Sequence, residues 1–385
     1  MMMPATMAVS TITVFSLAVA ASELQSEFGV SKFQLGALAA INTGVGALLA
    51  PMSGRFVDRV GARPAIATTL AFAFASASSA ALAPSFAVLL IASSIGGIAQ
   101  GLGNPATNSA ILAGFDETRR GLVVGAKQSG VQAAIIVVGV AVPLMSARFG
   151  WRSAVWLNAG IAVFVAFGLC LIPTRSEQRT VHSDRTARLS PFVTRVAIYG
   201  FLLGLTGGGF NQFLALFAHE EVNLTVEQAG WIFALQGIVA LPSRLAAGAI
   251  LDRGISVRKM MASMAFLGGL ALLIIAASSG GTASLLLSGT ILAGLSLGTW
   301  TAAANLAVIQ QGEQSGRATG RLIFGFLLGL TLGGPLVGWT IDQFTYGTAW
   351  IASSVLAVLA GFVILGRSST SNPKPDHSTR AGIAT

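Results

Sequence analysis

The chain has 385 residues, of which 54% are hydrophobic and only 10% charged, with a formal net charge of +9. That apolar share lies above the roughly 45–50% of a soluble domain, and the charged share lies far below the usual ~25%, so a water-soluble globular protein is excluded. One cysteine, Cys170, and three scattered histidines exclude a disulfide framework and a Cys-based metal site and argue against a metal enzyme. No cofactor is expected, and the positive charge does not call for nucleic acid, because Lys and Arg of membrane proteins collect in cytoplasmic loops.

An apolar stretch of about 20 residues is long enough to cross ~30 Å of hydrocarbon. Twelve such stretches follow one another, at 4–22, 33–53, 64–83, 85–113, 119–147, 152–173, 191–218, 228–251, 257–279, 282–310, 316–341 and 348–366. Some divisions rest on weak turn signals such as Ala83-Pro84-Ser85, which leaves eleven as the alternative count. The first stretch begins almost at Met1 without a basic leading region, and eleven more follow it, so it reads as a span rather than a signal peptide. The expectation is an all-α polytopic membrane protein. Its units are an N-terminal six-helix half (1–173), a cytoplasmic linker (174–190), a C-terminal six-helix half (191–366) and a disordered cytoplasmic tail (367–385). With both termini inside, eighteen Lys and Arg fall in cytoplasmic segments and three, Lys32, Arg148 and Arg152, fall outside. The positive-inside rule therefore places both termini in the cytoplasm.

The halves repeat one plan. GRFVDRVGAR, from Gly54, matches GAILDRGISVRK, from Gly248, so that Gly54, Asp58 and Arg59 pair with Gly248, Asp252 and Arg253. Gly121, Gly125, Gly130 and Gly139 pair with Gly316, Gly320, Gly325 and Gly334 at one constant offset, and Asn108 corresponds to Asn305. Duplicated halves of this kind build transporters whose binding site lies near the bilayer midplane between the repeats. On these residues the whole chain resembles the major facilitator superfamily, most specifically through the loop GRFVDRVGARPA. The resemblance implies twelve helices in two pseudo-symmetric halves, alternating access, and a cytoplasmic latch at Gly54, Asp58, Arg59, Gly61 and Arg63, with its degenerate copy at Asp252 and Arg253. A carboxylate such as Asp58 can accept charge-assisted bonds or face a helix N-terminus in one state and release them in another. The plainer use of these arginines is to anchor topology.

Two cations interrupt otherwise apolar spans: Lys127 in LVVGAKQSGVQAAIIVVGVAV and Arg244 in GWIFALQGIVALPSRLAAGAIL. A charge at membrane depth is a functional-site hypothesis by default. At 1.5 Å per residue both lie roughly 12 Å inside the cytoplasmic face, on equivalent halves, with no acidic residue at similar depth. The missing partner is then an anion from solution, for which Arg offers bidentate capture and Lys a point charge. The structural alternative is that each bonds helix-terminal carbonyls or snorkels to the interface. GAKQSGV resembles a segment of bacterial carriers akin to cyanate permeases, and an Arg in the eighth span resembles the carboxylate-binding Arg of monocarboxylate and oxalate carriers.

Gln100, Asn104 and Asn108 recur every four residues on one face of the fourth span, and Asn211, Gln212, Gln236, Asn305, Gln128 and Gln132 add polar groups in others. Such amides either cross-link helices or touch ligand; Asn211, Gln128 and Asn108 are the candidates for contact. Trp300, Phe210 and Phe213 are open to cavity lining or packing. Trp151, Trp231 and Trp350 lie near the outer boundary and read as interface anchors.

No Asp or Glu occupies a span interior, so the usual carboxylate proton relay is missing. Lys, unlike Arg, can release its proton, which makes Lys127 the candidate carrier of a coupling proton. The expected function is secondary active transport of a small organic anion across a bacterial inner membrane. Lys127 and Arg244 would bind the anion, with a coupling proton and membrane lipid as further partners and a monomer as the working unit. The alternative is proton-coupled efflux of drugs or other amphipathic compounds. It is weakened because Gly97 stands where the drug antiporters of the superfamily carry an Arg, and because GVAVP lacks the spacing of their fifth-helix motif.

Overall fold

The computed structural model describes residues 2–115, 117–171, 191–253, 255–309 and 315–366, so the linker 174–190 and the tail 367–385 lie outside the described residues. Every described element is a helix. In chain order these are α1 (Met2–Val19), α2 (Ala21–Phe28), α3 (Lys32–Val60), α4 (Ala62–Ala81), α5 (Phe86–Gly114), α6 (Glu117–Phe149) and α7 (Trp151–Cys170). There follow α8 (Pro191–Glu220), α9 (Val226–Asp252), α10 (Val257–Ala276), α11 (Ala283–Ser296), α12 (Trp300–Ile309), α13 (Ser315–Gln343) and α14 (Tyr346–Leu365). The short α2 follows the first span and lies outside it, and α11 with α12 makes the tenth, so the fourteen helices form twelve crossings, six in each half.

The tenth span is the one place where a single apolar stretch, read as one helix over 282–310, is two. The ladder breaks at Leu297–Thr299: the Gly298 N–H reaches back five residues to the Ala293 carbonyl (3.1 Å), and the Thr299 hydroxyl bonds the Gly294 carbonyl (3.1 Å). Hydropathy does not register such a break, because every residue in it remains compatible with the membrane. Non-helical backbone at this depth is tolerated where it is buried in protein or lines a cavity.

The second and eighth spans open alike. Ser31 accepts from the Gln34 N–H while the Gln34 side chain accepts from the Ser31 N–H, and Thr225 and Gln228 make the same reciprocal pair at the start of α9. Each capping box satisfies two of the N–H groups that a helix start leaves free.

The buried apolar residues fall into three clusters, and their distribution defines the shape. One cluster draws on both halves, joining Leu17, Leu38 and Val138 to Phe213, Phe233 and Trp350. The other two are separate: Val57, Leu70 and Val165 belong to the N-terminal half alone, and Val196, Met261 and Trp300 to the C-terminal half alone. The halves thus share a core at the end carrying the 29–31 and 221–225 loops and part at the end carrying the Arg-rich loops. Two helix pairs form the seam. Between α3 and α13, Gly36 meets Gly334 backbone to backbone, and the Thr43 and Thr331 hydroxyls bond at 3.1 Å. Between α6 and α9, a Cβ on Gly139 would fall 2.6 Å from the Gly230 carbonyl and from the Ala234 N–H nitrogen. Glycine is required at these positions because any side chain would occupy the opposite backbone. Beyond Thr43 on the Arg-rich side, Leu48 is 79% and Met52 62% exposed, and at Gly125 an added Cβ would meet open space.

Two of the tryptophans read as interface anchors are corrected by this packing. Trp350 is fully buried in the shared core against Phe210 and Phe217, and Trp151 is buried with its indole N–H on Glu27 (2.7 Å). Only Trp231, about half exposed, keeps the expected surface position. Trp300 packs edge-on against Tyr199 and Phe326, and Phe210 and Phe213 are buried, so these three aromatics serve packing.

Candidate functional site

Lys127 lies on α6 with 1% of its surface exposed. Its ammonium donates to the Asn108 carboxamide oxygen (2.6 Å) and the Asn104 carboxamide oxygen (3.1 Å), both on α5. The four-residue polar stripe of the fourth span therefore acts as an acceptor comb for one buried cation. Asn104 belongs with the site, although the sequence singled out only Asn108; its place one helical turn away, on the same face, was the available signal. An ammonium has three N–H donors, and these two amides occupy two of them without cancelling its charge.

Arg244 lies on α9 and is half-buried. Its Nε–H donates to the Gly298 carbonyl in the break of the tenth span (2.8 Å), and Nη1 donates to the main-chain carbonyl of Gln128 (3.3 Å). Both acceptors are backbone oxygens and take two of the five guanidinium donors; Gly298 lies between α11 and α12, whereas Gln128 is within α6. Gly298 had no signal in the sequence beyond being a glycine in a glycine-rich span. The bond to Gln128 crosses the seam and brings Arg244 to the level of the residue next to Lys127. Neither cation snorkels toward an interface. Among the described residues, ion pairs join Lys32 to Glu220 and Arg152 to Glu27, and none involves Lys127 or Arg244.

The position of Arg244 along the seam matters. From the shared core outward, α6 and α9 touch at Gly139 and Gly230, then at Gln132 and Gly237, then at Gln128 and Arg244. The next turn of α6 toward the Arg-rich face carries exposed Val124, Gly125 and Ala126. Arg244 thus stands where the halves begin to part. Lys127 is enclosed by the Asn104 and Asn108 side chains, whereas Arg244 lies half-buried at the seam on the level of Gln128. Gln128 enters through its backbone rather than its side chain. Asn211 is half-buried on α8 and is not brought to either cation by a hydrogen bond.

Asp58, Arg59 and Arg253 are exposed, and no hydrogen bond or ion pair of Asp58 occurs among the described residues. Gly61 takes φ +85°, a left-handed value that favours glycine and turns α3 into α4. Gly54 has open space around it, Arg63 donates to the Cys170 carbonyl (3.3 Å), and the Asp252 side chain lies outside the described residues.

A helical membrane protein of two six-helix halves, joined at one end and parted at the other around buried polar groups, has the architecture of a carrier, and no catalytic constellation accompanies it among the described residues. The family model of the Major Facilitator Superfamily matches residues 5–309 and 196–384, and the chain belongs to that superfamily. It is a transporter by family and not an enzyme. Among solved structures, a point mutant of the nucleoside transporter NupG matches with a TM-score of 0.76 at 15% identity, over 94% of this chain and 98% of that one. The human organic anion transporter MFSD10 (TETRAN) matches with a TM-score of 0.71 at 16% identity, over 94% and 98%. At such identities the likeness is one of fold. A search of curated proteins by sequence found no match.

Proposed function

We propose that this protein moves a small organic anion, a carboxylate or similar group, across the inner membrane of a bacterium by alternating access, with Arg244 as the principal ligand and Lys127 as the second cation. The observation that carries the reading is Arg244 itself: a guanidinium without a carboxylate partner among the described residues, at the apex of the opening between the halves, with three donors uncommitted. A planar anion supplies two acceptors in the geometry such a group presents. Lys127 adds positive potential from behind Asn104 and Asn108 and can exchange an amide for the anion as the halves close. Asn108, Asn211 and Gln128 remain candidates for the polar rim of the bound state. The loop residues Gly54, Asp58, Arg59, Gly61 and Arg63, with Asp252 and Arg253, serve as the latch that engages when the Arg-rich, cytoplasmic end shuts. The cargoes of the two solved carriers, nucleosides for one and organic anions for the other, differ on one fold, so the fold leaves the choice of cargo to the site.

The test is thermal unfolding of the purified protein with a panel of small carboxylates and inorganic anions and, in parallel, of lipophilic cations. A cognate anion at ~100 times its Kd adds about 2.7 kcal/mol, a shift easily read. Arg244→Ala is expected to lose that shift, since removing one partner of a buried charged pair costs about 2–5 kcal/mol of binding. Stabilisation by lipophilic cations alone, retained in Lys127→Ala, would replace the anion reading with drug efflux.

A further inference from the structure

At the closed end, Lys32 is gripped by three helices of the opposite half. Its backbone N–H and that of Phe33 donate to the two carboxylate oxygens of Asp342 at the end of α13 (3.1 and 2.8 Å). Its ammonium pairs with Glu220 at the end of α8 (3.1 Å) and lies over the Tyr346 ring of α14 (5.3 Å). The Tyr346 hydroxyl donates to the same Glu220 carboxylate (2.9 Å), and the Lys32 carbonyl abuts Gly338. The capping box of α3 leaves the Lys32 and Phe33 N–H groups free, and a carboxylate there also meets the positive end of the helix.

Among the described residues the second seam has no such device. Gly36 against Gly334 and Gly230 against Gly139 are the same contact repeated in the two halves, and both α3 and α9 begin with a capping box. Where the first seam carries Lys32 and Asp342, however, the corresponding positions are Val226 and Ala147. The glycine contacts are the shared packing of the fold, and the charged clasp is added to one side only.

We propose that Lys32 and Asp342, with Glu220 and Tyr346 in support, form an outer lock that holds the end opposite the Arg-rich loops shut and must release in every transport cycle. Every bond that Lys32 and Phe33 make to Asp342 and Glu220 crosses between the halves, so none survives their separation at this end. The lock makes opening on this face an activated step set by charge-assisted bonds rather than by apolar seams alone. It is independent of what the carrier moves.

Cross-linking tests it without any cargo. In a Cys170→Ser background, Thr43→Cys with Thr331→Cys places two thiols where hydroxyls now touch across the seam, and mild oxidation joins them when the outer end is closed. Lys32→Met and Asp342→Asn are each expected to lower the closed-to-open ratio of this end about tenfold, the worth of one charge-assisted bond, and so to slow cross-linking as the closed fraction falls. Each should also speed labelling of a lone Thr331→Cys by an impermeant maleimide from the outer face, the fold-speeding multiplied by the fold-slowing of cross-linking coming to about ten. Glu27→Gln breaks a clamp at the same end that lies wholly within the N-terminal half, and should leave both rates at the parental value. Parental rates in both Lys32→Met and Asp342→Asn, in protein that elutes as the parent does, would overturn the proposal. So would equal slowing by Glu27→Gln, because general loosening of the outer end would then account for the effect.

Discussion

Lys127 is placed at a cost that packing alone does not explain. Its aliphatic stem and ammonium are almost wholly buried, and its partners are neutral amides, which satisfy donors without compensating charge. If the charge is retained for an anion, its removal separates stability from function. Lys127→Met is expected to leave the melting temperature equal to or above the parental value while weakening the anion-induced shift, both read in one thermal series. A fall in melting temperature of the size expected for a lost structural bond, with the anion shift intact, assigns Lys127 to helix cross-linking. Glu27, outside the spans, behaves in the opposite way. Hydrogen bonding from Arg152 holds its carboxyl below the usual carboxylate range, against a smaller opposing effect of burial, and Trp151 adds a further bond. A pKa lower in the folded than in the unfolded state means that this clamp stabilises fully above the ordinary glutamate range and is lost as pH falls through the lowered value. With both partners over a third exposed, its worth is at most ~1 kcal/mol. Glu27→Gln should therefore lower the melting temperature slightly at neutral pH, with the difference closing below about pH 4.

At the scale of elements, the seams rest on backbone meeting backbone. A methyl group on Gly36 would overlap the Gly334 carbonyl, and neither helix can yield locally because the groups in conflict are main-chain atoms. Gly36→Ala is expected to disfavour closure of the outer end by about 1–3 kcal/mol, as overpacking does. Distances between spin labels at the outer ends of α3 and α13 should then show a longer population absent from the parent; an unchanged distribution would mean that the contact tolerates a methyl. Several of these element-level features were legible. The apolar stretches gave twelve crossings, and the constant glycine offset marked the repeat. The capping boxes at Ser31/Gln34 and Thr225/Gln228 are fixed by local hydrogen bonds that hydropathy does not mark. The break at Gly298 was not legible either, because glycine in a transmembrane helix is as often a packing residue as a hinge.

For the whole molecule, the open end and the unpaired Arg244 together bear on energetics. A carrier that changes sides empty must pass through a closed state with the guanidinium still charged, since Arg does not give up its proton. Enclosing an uncompensated charge costs several kcal/mol, and a bound anion offsets most of that. Exchange of anion for anion should therefore outpace net movement. Proteoliposomes preloaded with the anion identified by thermal shift are expected to take up its labelled form at least ~10-fold faster than empty ones, a difference of ~1.4 kcal/mol in barrier. Equal rates would point instead to uniport or to coupling with a proton.

By itself the sequence determined the class, the twofold plan and the identity of the two membrane-embedded cations, because hydropathy, repeat offset and charge at depth are properties of residues along one strand of chain. Only the tertiary structure decided what those cations meet. Lys127 turns to Asn104 and Asn108 on a neighbouring helix, Arg244 crosses to a carbonyl in the other half, and Lys32 is clasped by Asp342 from more than three hundred residues away. Partners of that kind are chosen by helix rotation and by which end of the bundle is shut, and neither is written in the periodicity of any single span.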